Sequence, residues 1–179
     1  RFNTPLFGSS KYLERKPYPP GQHGQSRRRK ASDYALALAE KQKMRFYYGL
    51  MEKQFKGVYE KSIRRRGVTG EIMLQILETR LDSVVYSLGF GYTRAQSRQM
   101  VTHGHVLVNG KRACTPSIAL QEGDTVEIKT VEKSRHLADK NLESPTSRIV
   151  PEWLTLDKAG YKGTVTRMPT RDDIEPVAN

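Results

Sequence analysis

The dipeptide Asn109-Gly110 stands between two short runs, Val106-Leu107-Val108 and Lys111-Arg112-Ala113. Both residues of a two-residue hairpin turn need positive φ, which Asn and Gly tolerate, so the pair dictates a tight antiparallel hairpin of fixed register. The flanking sequence narrows the fold further. Thr93-Arg94-Ala95-Gln96 reads as a capping box that opens a helix running to about His103, with Gly104 closing it. "QEGD" (121–124) is a second turn, and "TVEIKT" (125–130) a further strand. Helix, hairpin and strand so close together predict a small α+β module.

Upstream, residues 71–88 form the clearest amphipathic helix. Ile72, Ile76, Leu77, Leu81, Val84, Val85 and Leu88 recur at three- and four-residue steps, and "GFG" (89–91) then breaks the chain. Ser32 is a suitable N-cap for a helix to about Tyr48, ended by Gly49. A second basic helix is expected over 50–66. Phe46, Tyr47, Tyr48, Phe55 and Tyr59 are interleaved with the cations of both helices and read mostly as core, with base stacking as the alternative. Residues 1–31, with Pro5, Pro17, Pro19 and Pro20, look irregular and suited to ordering on an anionic partner. Residues 131–150 read as a frayed helix or linker, Trp153, Leu154 and Leu156 as a small docking surface, and "YKGTVTRMP" as a short strand.

Charge points to the partner. Net charge is +12, and residues 1–66 carry 17 Lys/Arg against five Asp/Glu, while the remainder carries 14 of each. A segregated field of this sign favours nucleic acid first and an anionic membrane second, over a merely solvated surface. No apolar run reaches membrane-spanning length, and no charged-then-apolar start suggests a secretion signal. The single cysteine, Cys114, excludes an internal disulfide, fits a reducing compartment, and reads as a small buried residue.

The string "LETRLDSVVYSLGF…TRAQSRQMVTHGHVLVNGK…PSIALQEGDTVEI" resembles the small RNA-binding module named after small-subunit ribosomal protein four. "PGQHG" (20–24), "SDYALALAEKQKMRFYYGLMEKQF" (32–55), "TGEIMLQILETRLDSVVYSLGFGYTRAQSRQMV" (69–101) and "PEWL" (151–154) extend the resemblance to the bacterial form of that ribosomal protein. The resemblance implies a basic helical region (1–77), the module as two helices on a short antiparallel sheet (78–135), and a linker and tail (136–179). It implies a non-enzymatic constituent of the small ribosomal subunit, in the cytoplasm or in an organelle with bacterial-type ribosomes. Its partners would be small-subunit ribosomal RNA, bound at a 5′-domain junction, and neighbouring ribosomal proteins near the path by which messenger RNA enters. Roles in subunit assembly and translational accuracy follow from the same resemblance. Some relatives carry a zinc-binding cysteine cluster before "RFNTP"; this sequence has none, so neither metal nor cofactor is expected. The apolar last segment expected after "DDIEPVAN" is also missing, which leaves the docking of the tail open.

Proteins read duplex RNA by shape, through phosphates and 2′-hydroxyls. On the module, the candidates are Arg94, Gln96, Ser97, Arg98 and Gln99 along the capped helix, His103 at its end, and Asn109, Lys111 and Arg112 at the hairpin tip. Arg80 either pairs near Asp82 or faces RNA. His105 reads as capping or surface packing. In the basic third, Arg27, Arg28, Arg29 and Lys30 suit an extended strand in an RNA groove. Lys41, Lys43, Arg45, Lys53, Lys56, Arg64, Arg65 and Arg66 suit helix-borne phosphate contacts. The rivals are a free-standing RNA chaperone and an RNA-modifying enzyme using the same module. "RLD" (80–82) superficially resembles the aspartate motif of pseudouridine synthases, but Asp82 falls inside an amphipathic helix with no Gly-rich catalytic loop after it.

Overall fold

The structure, a computed structural model, describes residues 2, 4–7, 11–26, 30–143 and 149–174. The chain forms two compact units that divide between Glu52 and Lys53. The first holds α1 (Lys11–Arg15) and α2 (Asp33–Tyr47). The Ser32 hydroxyl accepts a hydrogen bond from the Ala35 N–H at 3.3 Å, so the expected N-cap forms. The short α1 lies in the stretch expected to be irregular, between the prolines that bound it.

The second unit opens at Lys53, one residue into α3 (Glu52–Ile63), which buries Phe55, Val58 and Ser62 on one face. The expected helix over 71–88 is two helices, α4 (Thr69–Glu78) and α5 (Leu81–Ser87). Its apolar period is continuous, but its backbone is not. Arg80 is extended (φ −65°, ψ 141°) and bridges Ala119. Around it, Leu81 N–H donates to the Ile118 carbonyl at 2.8 Å, and Leu120 N–H to the Thr79 carbonyl at 2.9 Å. The segment 116–120 thus satisfies backbone groups that a continuous helix would have bonded internally.

α6 (Arg94–Thr102) follows, with Thr93 as its cap. The hairpin strands β1 (Val106–Val108) and β2 (Lys111–Ala113) pair Leu107 with Arg112, across a turn in which Asn109 (φ 51°) and Gly110 (φ 75°) are both left-handed. β3 (Thr125–Ile128) lies on the other side of β1, pairing Val106 with Ile128. α7 (Glu132–Leu142) takes up the helix alternative of the expected frayed helix or linker; it buries Ser134, Ala138 and Asn141. The Asn141 amide donates to the Phe90 carbonyl at 2.7 Å, which ties it to the turn before α6.

The tail does not merely dock. β4 (Leu154–Asp157) and β5 (Lys162–Val165) extend the sheet, whose order is β2-β1-β3-β5-β4, all antiparallel. Trp153 and Leu154, expected on a docking surface, lie inside the core. That core joins Leu81, Val84, Val85 and Leu88 of α5 with Met100 and Val101 of α6, Val106, Val126 and Val165 of the sheet, and Ala138 of α7. The class is α+β, helical at first and sheet-built later. Among the described residues, no helix is long and apolar enough to cross a membrane.

Candidate RNA-binding surface

The hairpin tip is pinned from two sides. The Asn109 amide donates to Asp124 at 2.8 Å, and its carbonyl oxygen accepts from the Thr125 N–H at 2.9 Å. Asn109 is therefore spent on the "QEGD" turn. On the other side, Gly104 (φ 73°) ends α6, and the Arg112 guanidinium occupies the space that a Cβ there would fill. This brings Arg112 against the carbonyl end of α6, where a cation is favoured. His103, the C-cap of α6, is exposed beside it in sequence, with its ring 6.1 Å from that of His105. His105 itself hydrogen-bonds the Ser134 hydroxyl of α7 at 2.9 Å, the packing role expected of it. Lys111 and Arg112 are exposed, and no carboxylate among the described residues pairs with either.

The expected row of contacts along α6 is largely turned inward. Arg94 donates to Glu78 at 3.3 Å and to the Ser83 hydroxyl at 3.0 Å, with its guanidinium 4.5 Å from the centre of the Tyr86 ring. Arg98 reaches Asp82 at 3.4 Å and stays 37% exposed. Arg80 makes a two-pronged pair with the same Asp82, at 3.0 and 2.8 Å, and is buried. Of the two roles open to Arg80, the structure gives the pairing. Ser97 is fully buried, donating to the Thr93 carbonyl, so its expected exposure is corrected. A serine one turn inside a capped helix faces the core because its neighbours Met100 and Val101 do. Gln96 completes the cap, accepting from the Tyr92 N–H at 2.6 Å, one residue earlier than the usual capping box. Gln99 is exposed.

Sequence reasoning missed Glu78 as the partner of Arg94 and Asp82 as a partner of Arg98. The signal was present: two carboxylates four residues apart face two arginines four residues apart, Arg94 and Arg98. Asp124, the latch for Asn109, was also missed. Cys114, expected to be buried, is exposed just after β2, because the strand alternation that buries Ala113 turns the next residue outward.

In the first unit the lysines of α2 are partnered. Lys41 bonds Glu52, Lys43 bonds Glu40 at 2.6 Å, and Arg45 lies 3.7 Å from Glu52. The Lys41 ammonium, the largest influence, holds the Glu52 carboxyl below its ordinary pKa. Arg27, Arg28 and Arg29 lie outside the described residues; Lys30 is exposed. In the second unit Lys53 and Lys56 are exposed, with Lys56 3.9 Å from Glu60. Arg64, Arg65 and Arg66 form an exposed run after α3, with no ion pair to a described residue. Of the aromatics read as core, Tyr48 and Phe55 are buried, while Phe46 and Tyr59 are exposed.

Farther along, Arg167 clamps Asp173 through two bonds of 2.6 and 2.7 Å, and the Thr170 N–H adds a third at 2.8 Å. Arg167, then that N–H, hold the Asp173 carboxyl far below the usual carboxylate range. Gln75 of α4 donates to the Pro169 carbonyl at 3.2 Å, fixing this loop to the helical part of the unit.

Two family models match in tandem. The model described as Ribosomal protein S4/S9 N-terminal domain covers residues 1–78, and the S4 domain covers residues 79–126. A protein of Opitutus terrae named small ribosomal subunit protein uS4 is 51% identical over 100% of this chain and 88% of its own length. The protein of the same name from Akkermansia muciniphila is 47% identical over 100% of this chain and 89% of its own. That of Thermus thermophilus is 51% identical over 90% and 78%.

Proposed function

The chain belongs to the family of small ribosomal subunit protein uS4, and from that premise we propose how its surfaces engage ribosomal RNA. It is a structural, non-enzymatic constituent of the small ribosomal subunit that binds small-subunit ribosomal RNA. Its contact at a 5′-domain junction, its early role in subunit assembly and its place near the path by which messenger RNA enters are the finer parts of the proposal. The observation that carries the binding surface is the pinned hairpin. Lys111 and Arg112 are cations with no carboxylate partner among the described residues, on a hairpin whose position is set by Asn109 and by the Arg112–Gly104 packing. Preorganised cations bind phosphate without a further ordering cost. Arg64, Arg65 and Arg66 provide a second set of phosphate contacts.

Arg80, Arg94, Arg98, Glu78 and Asp82 act differently. Their cross-pairing fixes α6 against α4 and α5, so that the exposed side of Arg98, with Gln99 and His103, is offered in one orientation. Asp82 is committed to two arginines and a backbone N–H and is buried, which removes it from service as a nucleophile.

The test is filter retention of the 5′ domain of small-subunit ribosomal RNA across salt, with an equally long unrelated structured RNA as competitor. Preference for the 5′ domain that survives near-physiological salt is expected. Equal affinity for both RNAs, lost together as salt rises, would reduce the cations to a general polyanion grip.

A further inference from the structure

α3 buries Phe55, Val58 and Ser62 on one face. Along the edge of that face, Tyr59 is 49% exposed and Ile63, one turn later, is 54% exposed. Among the described residues no aromatic ring or guanidinium lies over Tyr59. The pair is bounded by cations: exposed Lys56 one turn before, and exposed Arg64, Arg65 and Arg66 directly after. A single acid, Glu60, intervenes, 3.9 Å from the Lys56 ammonium.

An apolar protein partner would have to strip water from these cations to reach the Tyr-Ile patch, which is costly unless each finds a counter-charge. RNA satisfies both at once, with phosphates for the cations and a base face for the ring. A fully paired helix hides its base faces, so the fitting ligand is an unpaired base at a bulge or junction. We infer that Tyr59 is a stacking platform for an unpaired nucleobase, with Ile63 extending its apolar floor and Lys56 and Arg64 holding the flanking phosphates. This assignment rests on the ribosomal-RNA role and adds a source of RNA choice that phosphate contacts alone lack.

The experiment compares the full chain with Tyr59→Phe and Tyr59→Leu on the 5′-domain RNA and on a fully paired RNA duplex, across salt. Tyr59→Phe keeps its affinity for both. Tyr59→Leu loses about tenfold on the 5′ domain, as expected of one base stack. Its salt slope, its duplex affinity and its melting temperature stay unchanged. Tyr59→Leu binding the 5′ domain as tightly as the unsubstituted chain overturns the assignment, as does equal loss on both RNAs. If the unsubstituted chain shows no 5′-domain preference, the ribosomal assignment fails instead. Tyr59→Leu on an unpaired oligonucleotide then decides the stacking role alone.

Discussion

Asn109 combines a backbone demand with a side-chain one. Its φ of 51° makes the turn, and its amide bonds to Asp124 and Thr125 hold the tip. Asn109→Ala keeps the chain length of the turn but loses both bonds and the residue type that tolerates positive φ, a cost of about 1–2 kcal/mol. Thermal unfolding should show the loss, and RNA affinity should fall although no phosphate contact has been removed. The turn itself was legible from two letters of sequence, because its chemistry is local. Its latch was not, because Asp124 lies 15 residues away and nothing in the spacing announces the pairing. The same limit explains Cys114 and Ser97, whose burial depends on which side of a strand or helix meets the core.

Between elements, the carboxylates of Glu78 and Asp82 decide how α6 sits. Asp82→Ala strands the buried Arg80 guanidinium and releases Arg98. Breaking a buried pair from one side costs about 3–5 kcal/mol, so urea midpoints should fall well below those of Arg98→Ala, whose side chain is 37% exposed. The clamp of Arg167 on Asp173 predicts a pH effect. Because the folded-state pKa lies below the unfolded one, the clamp stabilises fully above the ordinary carboxylate range. That contribution is lost as pH falls from about 4 toward the lowered value. Melting temperatures of the native chain should therefore drop more steeply below about pH 4 than those of Asp173→Asn. Amphipathic period, caps and the hairpin revealed most elements here. The α4–α5 break escaped because Ile118, Ala119 and Thr79 create it through long-range backbone bonds. The strands β4 and β5 were half seen: "YKGTVTRMP" read as a strand, but only pairing with β3 makes it part of the same sheet.

For the whole chain, charge segregation was plain in the sequence and led to RNA, while the structure sorts the cations by what they already touch. Lys41, Lys43 and Arg45 are engaged with carboxylates, whereas Arg64, Arg65 and Arg66 have no carboxylate partner among the described residues. Replacing those three arginines together with glutamine should lower the slope of log affinity against log salt by about 2–3. The same change to Lys41 and Lys43 should lower it less. The most direct measurement uses the lone, exposed Cys114 beside the hairpin. An iron chelate tethered there, at the base of the hairpin, on the chain bound to small-subunit ribosomal RNA, cleaves whatever backbone lies along this face. Cuts confined to a few strands of the 5′ domain, weakened by Lys111→Ala with Arg112→Ala, are the predicted result. Cleavage no stronger than that from free chelate, or scattered evenly along the RNA, would contradict direct binding through the hairpin face.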